Sequence, residues 1–432
     1  MSALPTPVPI DRRTLLDHHR RVRSTTIALC DPLSAEDMAV QVEPHASPAK
    51  WHLAHTTWFF ETFILEAHER GFAPYDERFR VLFNSYYHGV GEQHPRPRRG
   101  VLTRPSIGEV MAYRDTVDER VRVLLDAADE ATVATIAPLV ELGLHHEQQH
   151  QELLLTDVKL LLGASPIRPA YREGAPAREP APGPVGPPGW IGFDGGVVGI
   201  GHRGPGFAYD NEGPRHRRFL EPFELADRLA TNEEMLAFVE DRGYERPELW
   251  LDDGWSWVRR AGRRHPEYWA RRDGRWVEFT LDGERPLDPA SPACHVSFFE
   301  ADAFARWSGA RLPTEGEWEH ASEGEELAGT FLESGRLHPA PAPAPVAGDG
   351  RLRQLFGDVW QWTRSAHEPY PGYRPEPGAI GEYNGKFMCG SFVLRGGSCA
   401  TSRTHVRRTY RNFFAPDAVW QFTGVRLARS AG

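Results

Sequence analysis

Residues 165–189, SPIRPAYREGAPAREPAPGPVGPPG, carry eight prolines in 25 positions. Neither a helix nor a central strand tolerates that density, because each proline lacks an N–H donor and its ring crowds the preceding turn. The stretch reads as a polyproline-prone linker or a belt along the surface. It predicts a chain folded as two bodies, residues 10–164 and 190–432. At 432 residues a single core would be unusual in any case.

The first body reads as helices. Leu15, Leu16, Val22 and Ile27 recur at helical spacing, among His and Arg residues expected to face solvent. Ser47-Pro48 has the order of an N-cap followed by proline at the first helical position. AKWHLAHTTWFFETFILEAH then runs without Gly or Pro. A third helix is predicted from about 106 to 128, with Val110, Tyr113, Val117, Val121 and Leu124 on one face. A fourth, from about 131 to 162, contains LVELGLHHEQQHQELLLTDVKLLL. Four amphipathic segments with one long connection, 67–104, predict a four-helix bundle.

The pattern changes at Trp190. GWIGFDGGVVGIG reads as strand-turn-strand, and TNEEMLAFVEDRG and SFFEADAFARWSG as two short helices. RLPTEGEWEHAS, GDVWQWT, VLRGGS and TGVRLAR are brief and bounded by Gly or Pro, and HPAPAPAPVAG at 338–348 reads as a surface loop. No period of 20–50 residues appears, which disfavours a solenoid or propeller. An irregular α+β domain is expected.

Sixty acidic against 50 basic side chains give a net charge of −10. That balance argues against a nucleic-acid or anionic-membrane binder. No apolar run is long enough to span a bilayer, and the N-terminus lacks the order of a secretory signal. The four scattered cysteines form no CxxC pair, so a reducing cytoplasm is the expected compartment. Nothing in the sequence fixes an oligomeric state.

The sharpest chemical feature is His146-Glu147-Gln148-Gln149-His150. Residues four apart share a helical face, so both imidazoles can converge on one ion. Leu142, Leu144, Leu153, Leu154 and Leu155 imply a buried helix, where unsatisfied histidines are costly. A third ligand is available from His52 or His55, and Trp51, Trp58 and Phe59 favour burial of the His55 side. Three neutral imidazoles leave about three positions open on an octahedral ion. Such a site suits Fe(II) chemistry with oxygen, or Zn(II) hydrolysis or hydration. The string also satisfies H-E-x-x-H, in which Glu147 would be the general base of a zinc hydrolase. No G-x-x-H extension follows it.

SPAKWHLAHTTWFFETFIL and HHEQQHQELLLTDVK resemble the DinB-like helical domain of EgtB-type sulfoxide synthases, the hercynine oxygenases of ergothioneine biosynthesis. DNEGPRH, TNEEMLAF, VSFFEADAFARW, RLPTEGEWE, GDVWQWT, VLRGGS and FTGVRLAR resemble the formylglycine-generating-enzyme-like (sulfatase-modifying factor) fold. The resemblance implies a DinB-like four-helix bundle followed by a C-type-lectin-like irregular α+β domain. It implies a non-haem Fe(II) oxidoreductase that uses O2 to join a thiol to C2 of hercynine, giving a sulfoxide, at a site between the two domains.

By position, the resemblance makes His55, His146 and His150 the iron ligands and leaves His52 out. Gln149 would hydrogen-bond the hercynine imidazole, and Asn412 and Phe413 would line its trimethylammonium end, where an aromatic face attracts a cation. The layout with an adjacent Tyr pair in the long connection is matched by Tyr86 and Tyr87, and it implies free cysteine as donor. A phenol there can supply a proton to reduced oxygen. Arg96 and Arg99 would hold the donor carboxylate. Phe414 replaces an acidic residue that in the other layout meets the donor's amine, which counts against γ-glutamylcysteine. A selenosugar donor, a zinc hydrolase and a non-enzymatic sensor are the competing readings. Cys389 and Cys399 do not fit the formylglycine enzymes' cysteine pair and read as structural, Trp360 and Trp362 read as core, and Asp358 is a candidate ligand for a structural Ca2+.

Overall fold

The computed structural model describes residues 11–174, 186–344, 350–382 and 384–431. Positions 175–185 of the proline-dense stretch and 345–349 of the second Pro-Ala run lie outside the described residues. The described residues of 1–171, 203–207 and 375–383 form one compact unit, and those of 172–202, 208–374 and 384–432 a second.

The first unit is built on four helices. Helix α1, Arg12–Ala28, begins at Asp11, whose carboxylate accepts from the backbone N–H groups of Arg13 and Thr14. Helix α2, Ala49–Phe60, runs on through a π-helical turn, Glu61–Leu65, to Glu66–His68. Helix α3, Ile107–Ala127, opens with a Ser106–Glu109 capping box, which satisfies two orphan donors reciprocally. Helix α4, Glu130–Ala164, is capped by Asp129 and accommodates Pro138 in its interior. Helix α1 packs on α4, and α2 on both α3 and α4. The long connection holds a short helical turn, Phe79–Leu82, and a 3-10 turn, Arg96–Val101.

Two local expectations fail. His19 and Arg23 of α1 are buried rather than solvent-facing, because Asp118 and Glu147 on neighbouring helices supply the charges that Arg23 needs. Ser47 is not the N-cap of α2. Pro48 takes that position, while the Ser47 N–H donates to Asp157 and its hydroxyl accepts from Arg99.

The second unit is an α+β assembly of small sheets. Trp190–Phe193 and Gly196–Ile200 are both strands, yet they do not pair with each other. Trp190–Phe193 pairs with Phe223–Ala226, and Gly196–Ile200 pairs with His216–Leu220, all antiparallel. Gly195 and Gly196 both take positive φ, which turns the chain from one sheet into the other. A four-stranded sheet contains Trp360–Ala366, Phe392–Arg395 and Asn412–Phe414. The expected short helices are Asn232–Glu240 and Phe298–Trp307, and a further one spans Glu315–Ala321. The core gathers Phe223, Leu225, Trp318, Phe331, Phe356 and Val406, with Trp360 and Trp362 also fully buried.

Candidate metal centre

Helix α4 places His146 and His150 one turn apart, and α2 lies against that face. His55 of α2 meets them: its ring centroid is 4.9 Å from that of His146 and 4.7 Å from that of His150. One nitrogen from each ring lies within 4.8 Å of the others, and among the described residues this is the one group of three or more His, Cys, Asp or Glu so arranged. All three are buried, at 0%, 1% and 8% exposure for His55, His146 and His150. Burial drives each imidazole toward its neutral form: His146 is pushed down to about 3, and His55 and His150 well below the usual histidine range. Neutral imidazole is the state in which histidine can ligate a metal.

Hydrogen bonds orient the rings. His55 Nδ1 lies 2.6 Å from the Phe83 carbonyl. A carbonyl only accepts, so Nδ1 carries the proton and the Nε2 lone pair is left for a ligand. That Nε2 is buried with no hydrogen-bond partner, which an ion would satisfy. Trp51 stacks on His55 at 4.5 Å and Trp58 at 5.7 Å, while Phe59 lies 4.9 Å from His146. These rings exclude water and fix the imidazoles. Three neutral nitrogen donors in an apolar shell fit a divalent first-row metal.

Glu147 faces elsewhere, and this corrects the hydrolase reading. Its carboxylate accepts from Arg23 at 2.9 Å, from Thr26 at 2.6 Å and from Arg114. Burial would raise its pKa, but Arg114 and then Arg23 outweigh that and hold the carboxyl well below the usual range. A carboxylate locked between two buried guanidinium groups is not available as a general base.

Phe83 also begins the turn that carries the tyrosine pair. Asn84 ties that turn together, donating from its amide to the Tyr87 carbonyl at 3.0 Å and accepting from the Tyr87 N–H at 3.1 Å. Tyr86 and Tyr87 stack with centroids 4.6 Å apart and hydroxyls 3.4 Å apart. Tyr87 is fully buried against Trp58 and Phe63. Burial raises the pKa of Tyr86, so its phenol keeps its proton. The Glu382 carboxylate accepts from the backbone N–H groups of His88 and Gly89 in the same turn, at 2.9 and 2.6 Å.

The two arginines diverge. Arg96 is exposed, whereas Arg99 is 1% exposed. Arg99 stacks 3.3 Å over Trp51 and donates to Ser47 and Ser85. No carboxylate among the described residues pairs with it, and its Nε lacks a hydrogen-bond partner. Burial, and after it the charge of Arg96, pulls its pKa down. Gln149 is half-buried on α4.

In the second unit, Asn412, Phe413 and Phe414 form a half-buried strand paired with Phe392–Arg395. Phe413 stacks on His367 at 4.0 Å. Next to it, Arg411 is anchored by Glu315. Asp358 accepts from the Ala340 N–H at 2.8 Å. All four cysteines are free; Cys399 is buried and Cys389 exposed, so Cys389 is not part of a core.

The residues alone left His52 open as a third ligand and the family resemblance left it out, yet the structure gives it two partners. Its Nδ1 lies 2.8 Å from His150 Nδ1 and its Nε2 3.0 Å from Asp157 Oδ2. The signals were His at i−3 from His55 and Asp at i+7 from His150, on faces already known to be buried.

Residues 18–154 match the DinB superfamily, and residues 177–348 and 349–431 match the sulfatase-modifying factor enzyme 1-like domain. The hercynine oxygenase of Mycolicibacterium smegmatis is 33% identical over 97% of this chain and 99% of its own length. That of Mycobacterium tuberculosis is 32% identical over 95% of this chain and 97% of its own. Ergothioneine biosynthesis protein 1 of Schizosaccharomyces pombe is 28% identical over 52% of this chain and 28% of its own length. Full-length similarity, both domain matches in order, and a buried histidine cluster in the DinB part together show that the chain is an oxidoreductase belonging to the hercynine oxygenase family, the EgtB-type sulfoxide synthases.

Proposed function

We propose that the chain couples L-cysteine to C2 of hercynine with O2 at an Fe(II) ion held by His55, His146 and His150, giving hercynylcysteine sulfoxide. The observation that carries the iron reading is the convergence of three buried, neutral imidazoles, with the His55 Nε2 left without a hydrogen-bond partner. Bound Fe(II) would supply the site at which thiol and O2 meet and electrons pass to oxygen. The stoichiometry closes without a further reductant. One oxygen atom ends on sulfur and the other in water, whose hydrogens come from the thiol and from C2–H of the imidazole.

The protein residues bind, aim and deliver protons. Arg99 is a buried cation with no carboxylate paired directly to it among the described residues, Asp157 acting on it only at longer range, and a guanidinium in that state favours an incoming carboxylate; with Arg96 it would hold the amino-acid donor. Gln149, one residue before the ligand His150, would hydrogen-bond the hercynine imidazole and aim C2. Asn412 and Phe413 are assigned to the trimethylammonium group, where a ring face attracts the cation. Phe414 offers no charge to a donor amine, which favours cysteine over γ-glutamylcysteine. Tyr86 and Tyr87 would give a proton to reduced oxygen; Tyr86 is protonated, though burial also makes its phenol a weaker acid, so its partner must be a strong base such as reduced oxygen.

Anaerobic loading with Fe(II), then exposure to O2 with hercynine and competing donors, tests this by mass spectrometry of the products. Cysteine is expected to give the sulfoxide, with O2 consumed fully only when both substrates are present. Turnover with a selenosugar in preference to cysteine would instead assign a selenium donor. His150→Ala should lose the metal. Tyr87→Phe should keep it and divert turnover toward cysteine sulfinate; normal sulfoxide yield from both single Tyr→Phe variants would refute the proton-donor role.

A further inference from the structure

We infer that His52 and Asp157 are a positioning pair for the metal ligand His150, fixing which of its nitrogens carries the proton and strengthening the other as a donor. The inference rests on the metal-centre reading above. His52 is buried between two partners, with Nε2 3.0 Å from Asp157 Oδ2 and Nδ1 2.8 Å from His150 Nδ1.

The proton positions follow from ligation. With His150 bound to a metal through Nε2, its Nδ1 carries the proton of the 2.8 Å contact and His52 Nδ1 accepts it. His52 then carries its own proton on Nε2, 3.0 Å from the Asp157 oxygen that accepts it. The opposite arrangement, with both His52 nitrogens protonated, would put the His150 proton on Nε2 and block ligation there.

The carboxylate is itself fixed. Asp157 lies seven residues beyond His150 on α4, about two turns on and so on the same face. Its Oδ2 also accepts the Ser47 N–H at 2.8 Å. His55 receives the same treatment more simply, from the neutral Phe83 carbonyl. The His150 arm instead ends on a negative charge, which passes electron density through two imidazoles toward the metal. His52 is not a fourth ligand, because both of its nitrogens are engaged and it lies outside the three-histidine cluster.

The test uses the full-length chain and Co(II) as probe. Affinity is measured by chelator competition without oxygen, beside the visible spectrum of bound Co(II) and the unfolding midpoint of the metal-free protein. His52→Leu should weaken Co(II) binding by about 10–100-fold and shift the Co(II) bands. His52→Gln, whose amide oxygen can accept from His150 Nδ1–H, should recover most of the affinity. Asp157→Asn, which keeps an acceptor and loses the charge, should fall between wild type and His52→Leu.

A folded His52→Leu with wild-type affinity and spectrum overturns the inference, provided His150→Ala in parallel loses the metal. Should His150→Ala also keep it, the metal-centre reading itself fails. Should His52→Leu not fold, Asp157→Asn decides, and unchanged affinity and spectrum in that variant overturn the inference.

Discussion

At the residue scale, one glutamate separates two chemistries. The five-residue string around Glu147 also fits two ligands plus a base, a reading the missing G-x-x-H extension already disfavours, and the partners of Glu147 decide against it. Arg23 and Arg114 are both fully buried and both bonded to it. Removing one partner of a buried ion pair costs about 3–5 kcal/mol because a charge is stranded. Glu147→Gln should therefore lower the stability of the metal-free protein by about 3 kcal/mol or more, read from urea unfolding. Co(II) should still bind the folded fraction. A variant of wild-type stability that loses only activity would revive the base. The pairing of His146 with His150 was legible from spacing and flanking leucines, whereas His55 was singled out over His52 by the family resemblance; the three rings do converge. The outer partners were legible only in part: Asp157 shares a helical face with His150, but it stands 105 positions from His52 and no local pattern joins those two.

At the scale of elements, the helices were legible because their apolar periodicity is strong, and their ends moved by only a few residues. The strand regions were less so. GWIGFDGGVVGIG does hold two strands around a glycine turn, but local signals cannot reveal that each takes its partner from elsewhere. Helix contacts set their own demands. Gly143 lets α4 approach α2 closely; a Cβ there would come 3.0 Å from the rings of Phe59 and Phe60. Both rings are fully buried, and Phe59 also packs on His146. Gly143→Ala should gain helix propensity yet lose more to crowding, a net destabilisation of about 1–2 kcal/mol. Displaced Phe59 should also weaken Co(II) binding. Thermal unfolding beside a Co(II) titration checks both, and a stabilised variant would show that the rings yield.

At the scale of the whole molecule, buried histidines set an acid limit. Burial pushes both His19 and His367 down to about 4, and Asp118 only partly opposes it at His19. Each is therefore neutral in the folded state and protonated on unfolding once the pH is below about 6.5. The unfolded chain binds more protons in that window, so stability rises with pH. Acidification from pH 6.5 to 4 should cost about 1.4 kcal/mol per pH unit for each of the two histidines. Denaturant midpoints of metal-free protein across that range measure this; a flat profile would contradict it. His19→Gln should flatten the slope.

The fastening of the phenol turn by Glu382 has a consequence for how such a chain can be divided. A tether 294 positions away in sequence from His88 means that a fragment ending in the proline-dense stretch keeps the trio of imidazoles and forfeits the clasp. In the intact chain, and under the proposed function, Glu382→Ala should leave Co(II) affinity alone while the yield of coupled product drops in favour of oxidised cysteine. An unchanged product ratio would mean the clasp is idle. The coding order of this chain is thus not its working order, and under the proposed function a lone helical half is expected to bind metal yet handle oxygen poorly.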